Sequence, residues 1–193
     1  MKTAYKPIWE HAKPYLATRS NDTHTLYCYY FAEQLLKAHP EADENIVLPA
    51  IILHDVGWSA VPEDKQLQSF GPHMIYPELR RLHETEGARI AGEILNKLQF
   101  EAAKIAEITQ IIEGHDTREE SLSINDSLLK DADKLWRYTS FGLETVSDWF
   151  GYSHQEQMAL LEKWIGYRFY TDAGQNMARG LYAYLQISNG ASA

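Results

Sequence analysis

The sequence predicts an all-α fold, a single-domain helical bundle, and three observations carry that reading. Apolar residues recur at the three- and four-residue spacing of a helix face through most of the chain. Most Pro and Gly residues stand singly near the edges of those stretches instead of gathering in linkers. No segment has the apolar-polar alternation of a half-buried strand. With 193 residues and no internal repeat or low-complexity tract, the chain has the length of one domain with a sizeable core. One domain over 1–193 is therefore expected, the helices of about 141–187 packing on an earlier core of about 20–140.

The first clear helix opens after Ser20-Asn21-Asp22-Thr23, residues suited to capping, and runs from His24 to Ala38 before His39-Pro40. A second, from about Asp43 to Asp55, is apolar nearly all round (Ile46, Val47, Leu48, Ala50, Ile51, Ile52, Leu53) and hence buried. Pro49 marks a kink or the true start of that helix, and Gly57 ends it. The stretch from Trp58 to Tyr76, with Pro62, Gly71 and Pro72, reads as a long loop. Pro77 suits a helix start, and Leu79, Leu82, His83, Ile90, Ile94 and Leu98 form one face as far as about Gln99. The next helix opens at Glu101, carries Ile105, Ile108, Ile111 and Ile112, and ends at Gly114-His115. After a polar loop from Asp116 to Asp126, a short helix through Leu128 to Trp136 places Leu129, Ala132, Asp133 and Trp136 on one face. Ser153-His154-Gln155-Glu156 has capping-box form and leads into Met158, Leu161, Trp164, Ile165 and Phe169, and a last helix is expected near Met177 to Leu185.

Composition narrows the function. A formal charge of −9 opposes nucleic-acid phosphates, whose binding relies on clustered Lys and Arg. A small anionic substrate stays compatible, because a bound metal ion outweighs distant surface charge locally. The one cysteine, Cys28, excludes an intramolecular disulfide and any zinc site needing several thiolates. The start lacks a signal-peptide apolar stretch and no window has bilayer-spanning length, so a cytoplasmic protein is expected, without membrane partners.

A lone histidine is more often a satisfied core or surface residue than a ligand. Here the set matters: His24, His54, Asp55, His83, His115 and Asp133 lie at helix ends or on apolar faces, separated in turn by 30, 1, 28, 32 and 18 residues. Apart from the adjacent pair, each step is about one helix and a connection, so the helices of a bundle can bring them together around one or two divalent metal ions. Imidazole and carboxylate without thiolate suit Fe, Mn, Ni, Co or Zn, and Mg less well. For Asp55 and Asp133 taken singly, helix capping or a salt bridge is the competing account.

Leu53-His54-Asp55-Val56-Gly57, with His24 before it and Ala132-Asp133-Lys134-Leu135 after it, resembles the HD-domain superfamily of metal-dependent phosphohydrolases, over about residues 20 to 140. The resemblance implies an HD-type helical bundle whose basic metal quartet is His24, His54, Asp55 and Asp133. Asp131 is the competing choice for the last ligand. His83 in His-Glu-Thr-Glu-Gly-Ala and His115 in Glu-Gly-His-Asp resemble the two further histidines of dinuclear members, in which Asp55 would bridge both ions and act in catalysis. Several members carry a Lys after the glycine, where Trp58 stands here. Substrate charge would then fall to Lys134 and Arg137, with Arg80, Arg81 or Lys65 reaching from the loop side and His73 and Trp58 also in the loop; all could equally be solvated surface groups.

The activity implied is hydrolysis of a small phosphate ester or nucleotide by metal-activated water. The same ligands also suit a mixed-valent di-iron oxygenase, similar to myo-inositol oxygenase and phosphonate-cleaving oxygenases, or a metal-binding regulatory module without turnover.

Overall fold

A computed structural model describes residues 1–190. It is all-α, and among the described residues there is no strand. The N-terminal stretch, given no element by sequence, folds as a short helix α1 (Lys6–Ala12), with Pro7 in its first turn, flanked by 3-10 turns. Helix α2 (Asn21–Ala38) opens three residues before the expected start. Ser20 does not cap it through its side chain, because its φ of 58° places it in the left-handed region.

Helix α3 (Glu44–Leu53) is the centre of the fold. Asp43 caps it by accepting from the Asn45 amide, and every residue from Ile46 to Leu53 is buried. Each large apolar side chain there contributes about 1.5–3 kcal/mol by burial, so this helix is fixed by its surroundings despite Pro49 in its middle. It packs on α1 and α2, and on α5, α6 and α7, whose ranges follow. Beyond it, Val56–Ala60 form a 3-10 turn, and the segment read as loop holds one short helix, α4 (Glu63–Gln66).

Helix α5 (Pro77–Lys97) lies directly against the Val56–Ala60 turn. Gly57 makes this possible: a Cβ there would collide with the His83 carbonyl oxygen and the Gly87 backbone. The glycine that was expected to end a helix therefore also lets Asp55 approach His83. Helix α6 (Ala102–Ile112) follows, its isoleucines buried as expected.

Helix α7 (Ile124–Leu135) starts earlier than expected, inside the run read as polar loop. Ser123 accepts from the Asp126 amide, and Asp126 itself is buried, accepting from the Leu122 amide at 2.9 Å and from Arg118 at 3.2 Å. The polarity that suggested a loop is a buried ion-pair network. Helix α8 (Ser140–Phe150), not foreseen, is capped by Thr139 and stopped by Gly151 at a φ of 71°. Helix α9 (His154–Ile165) has the expected Ser153–Glu156 capping box but ends before Phe169. Helix α10 (Asp172–Gly190) is longer than expected and packs on α2, α7 and α9. None of the described helices is long and apolar enough to cross a membrane.

Candidate metal centre

Five helices and their ends deliver the histidines and aspartates to one point. His24 comes from the first turn of α2, His54-Asp55 from the end of α3, His83 from α5, His115 from the turn after α6, and Asp133 from α7. His24, His54, Asp55, His83 and His115 are all buried.

The six residues form two groups that share Asp55. In the first, His24 Nε2 lies 3.1 Å from His54 Nε2, 3.4 Å from Asp55 Oδ2 and 3.3 Å from Asp133 Oδ1. His54 Nε2 lies 3.7 Å from Asp55 Oδ2 and 3.5 Å from Asp133 Oδ1. In the second, the other oxygen, Asp55 Oδ1, is 3.7 Å from His115 Nε2 and 4.0 Å from His83 Nε2, and the two imidazole nitrogens are 3.5 Å apart.

The donor chemistry fits a divalent ion in each group. Ligand atoms about 2.1 Å from one ion, at tetrahedral or octahedral angles, lie roughly 3.0–3.5 Å from each other, near the spacing of the first group. The tautomers are set for ligation as well. His54 Nδ1 is bonded to the Ile51 carbonyl at 2.7 Å and His115 Nδ1 to the Ile112 carbonyl at 2.9 Å. In the neutral imidazole with its proton held on Nδ1, as metal binding would require, each Nε2 would present its lone pair to the cluster.

Charge is balanced inside the site. Burial opposes ionisation of Asp55, but His54, His115 and His24 outweigh it and hold the carboxyl far below the usual range. Asp133 is held low in the same way, its burial offset by hydrogen bonds from His24 and His54. Burial also opposes charge on His115, yet Asp55, Asp116 and Asp133 push its imidazole up to about 10. His83 goes the other way, pushed down to about 4 by burial and then by His115.

Asp116 was not singled out by sequence, although it sits in the quoted Glu-Gly-His-Asp. Its Oδ2 lies 3.7 Å from His83 Nε2, and His83, His115 and Asp116 together have metal-site geometry. Glu84 holds the Asp116 turn by accepting from the Asp116 and Thr117 amides at 2.9 and 2.8 Å. A missed carboxylate next to a recognised histidine is the signal that could have found it.

Asp131, the competing choice for Asp133, faces elsewhere. It accepts from the Tyr170 amide at 2.8 Å and from the Thr171 amide and hydroxyl at 2.9 and 2.7 Å, just ahead of α10. Lys134 donates to the Lys130 carbonyl at 2.9 Å and lies over the Tyr170 ring; Arg137 lines the cleft above the cluster, and Lys134 does not. Arg80 pairs with Asp116, Arg81 bonds Glu84 and Glu113, Lys65 lies over Tyr76, and His73 is exposed.

Trp58 is buried at the cluster. Its ring stacks on His83 with centroids 4.0 Å apart, and its indole N–H is donated to Asp55 Oδ1 at 3.1 Å. The cation over it is Arg19, 4.3 Å from the ring centroid, a cleft residue that sequence reasoning passed over. Burial lowers Arg19 to about 10, which leaves it charged at neutral pH. The cleft encloses about 40 Å³, room for a few waters. A larger surface groove, about 480 Å³ between Pro14 and Glu63, holds no such cluster of ligands.

No curated protein sequence matches the chain. A crystal structure of a predicted HD superfamily hydrolase from an uncultured Thermotogales bacterium, 19% identical, superposes with a TM-score of 0.63 over 93% of this chain and 86% of that one. The HD-domain family model matches residues 21–138, which include all six expected ligands and Asp116. The chain belongs to the HD-domain family.

Proposed function

We propose that this chain is a metal-dependent phosphohydrolase of the dinuclear type, acting on a small phosphate ester or nucleotide. The observation that carries the reading is the division of Asp55: one carboxylate oxygen faces His24 and His54, the other His83 and His115. A single carboxylate serving two ligand groups suits a pair of ions, and such a pair supplies Lewis acidity and lowers the pKa of bound water.

The chain's own residues do the rest. Asp55 and Asp133 offer anionic oxygen, and the Ile51 and Ile112 carbonyls keep His54 and His115 oriented. Three carboxylates, Asp55, Asp116 and Asp133, would repel an anionic substrate, but two dications reverse that sign locally. Arg19 and Arg137 add positive charge at the cleft wall, and Trp136, Phe70 and Trp149 give that wall its apolar part.

The test is elemental analysis of protein expressed with Fe, Mn, Ni, Co and Zn available, followed by a phosphate-release screen over nucleotides and phosphomonoesters. Close to two ions per chain and phosphate release are expected. Dioxygen uptake by iron-loaded protein without phosphate release would replace hydrolysis by oxygenase chemistry, and metal without either activity would leave a regulatory module.

A further inference from the structure

The cleft over the metal centre encloses about 40 Å³. That is space for about three waters at roughly 10–15 Å³ each, against roughly 300–1,000 Å³ for clefts that take small molecules. A substrate molecule can therefore reach the centre only if one wall withdraws.

Most of the walls are tied down. Trp58 is stacked on His83 and bonded to Asp55, Glu84 holds the Asp116 turn, and Arg19 donates to Gln66 Oε1 at 2.6 Å. Trp136 and Trp149 belong to helical turns. Phe70 differs from all of these. It sits between α4 and α5, and no hydrogen bond joins residues 70–74 to any described residue. Gly71 and the four residues after it are exposed. The segment is closed on itself at its base, where the Ile75 and Tyr76 amides donate to the Gln68 carbonyl at 2.7 and 3.0 Å, and the Ser69 hydroxyl donates to the Lys65 carbonyl at 2.9 Å. A loop tied at its base and unbonded above it can move as a unit.

Aromatic contacts hold it down. The Phe70 ring meets those of Trp58, Trp149 and Phe150 edge-on, with centroids 5.5, 5.8 and 5.7 Å apart. Gly71 lets Phe150 lie close, since a Cβ there would stand 2.6 Å from that ring, and its φ of 81° suits glycine. Each edge-on contact shifts a population by roughly 2- to 12-fold, enough in combination to favour the closed position and weak enough to break.

We infer that residues 69–76 form a flap latched by Phe70 against Trp149 and Phe150, and that it lifts to admit to the metal centre any ligand larger than a few waters. The need for a wide entry rests on the phosphohydrolase reading, but the flap is tested without turnover. A flap changes how often the centre is reached and not how tightly it holds an ion, so uptake and removal speed up together and their ratio stays constant.

The experiment follows zinc passing between the protein and the dye pyridylazoresorcinol, in both directions, by stopped flow, with zinc affinity measured separately at equilibrium. Phe70→Ala should speed removal and uptake by the same factor, roughly tenfold for the loss of the ring contacts, and leave affinity unchanged. Gly71→Ala, which removes no side chain from the cleft but pushes the loop off Phe150, should act in the same direction. Met74→Ser at the exposed tip should do nothing. If Phe70→Ala does not fold, Gly71→Ala decides alone. Rates unmoved by both variants, removal that quickens only as affinity falls, or an equal effect of Met74→Ser each overturns the flap. Unmoved rates in a protein that hydrolyses esters would remove the flap and keep the phosphohydrolase reading. Accelerated exchange at constant affinity without hydrolysis of any ester would do the reverse.

Discussion

Trp58 lies flat on His83, ring planes within 10° and centroids 4.0 Å apart, while donating its indole N–H to Asp55 Oδ1. One side chain thus orients a histidine of the second group and the carboxylate common to both. His83 needs this support, because its Nδ1 is buried without a hydrogen-bond partner, unlike the Nδ1 atoms of His54 and His115. Trp58→Phe keeps the stack and deletes the hydrogen bond. It should weaken the more loosely held ion about tenfold, the lower end of what outer partners contribute, and leave the other nearly unchanged. Metal titration with a competing chelator reads both constants, and equal weakening of the two would assign Trp58 a general packing role.

Ligand removal should sort the site by group. Asp55→Ala touches both groups and should reduce metal from two ions per chain to almost none, as should His54→Ala if the first ion must bind before the second. His83→Ala should leave one. Helical content should change little in each case, because the helices are fixed by the apolar core around α3. Elemental analysis with circular dichroism checks both halves, and stoichiometric metal retained in Asp55→Ala would sink the assignment.

The metal-free protein should lose stability as pH rises through the alkaline range. His115 is raised from its ordinary 6.5 to about 10 in the fold. Its contribution is therefore fully present below 6.5 and lost as pH climbs toward 10. His83, depressed to about 4, is neutral in both folded and unfolded chains above 6.5 and adds no slope there. A falling melting temperature between pH 6.5 and 10 is expected for metal-free protein, and a smaller fall in metal-free His115→Gln. Metal must displace that proton, so binding near pH 7.5 should release protons, detectable as a dependence of calorimetric heat on buffer ionisation enthalpy. Identical heats in all buffers would contradict the charged state of His115.

The parts legible in the sequence were those governed by local pattern. The apolar run of α3, the capping box at Ser153 and the isoleucine stripe of α6 follow from residue spacing, and so does the convergence of the six His and Asp side chains, since each sits at a helix end or on an apolar face. What sequence hid depends on tertiary partners. Asp126 looks like loop polarity until the half-buried Arg118 and the buried Lys130 pair with it. Arg19 looks like a surface cation until Gln66, 47 residues away, holds it against Trp58. Asp116 becomes a ligand candidate only because Glu84 pulls its turn against α5.

Asp131 and Asp133 are nearly indistinguishable in sequence, and their substitution should separate them cleanly. Asp131 bonds two amides and a hydroxyl at the start of α10, and a Cβ on Gly174 would strike its carboxylate, so α10 docks in contact with it. Asp131→Ala leaves those donors unpaired and should cost about 1–3 kcal/mol, while metal content stays at the parent level. Asp133→Ala should do the opposite: it removes a carboxylate 3.3 Å from His24 Nε2 and 3.5 Å from His54 Nε2, so metal falls while α10 stays docked. Urea unfolding of the metal-free variants reads the first effect and elemental analysis the second. Loss of metal in Asp131→Ala with retention in Asp133→Ala would exchange the two roles and with them the last member of the quartet.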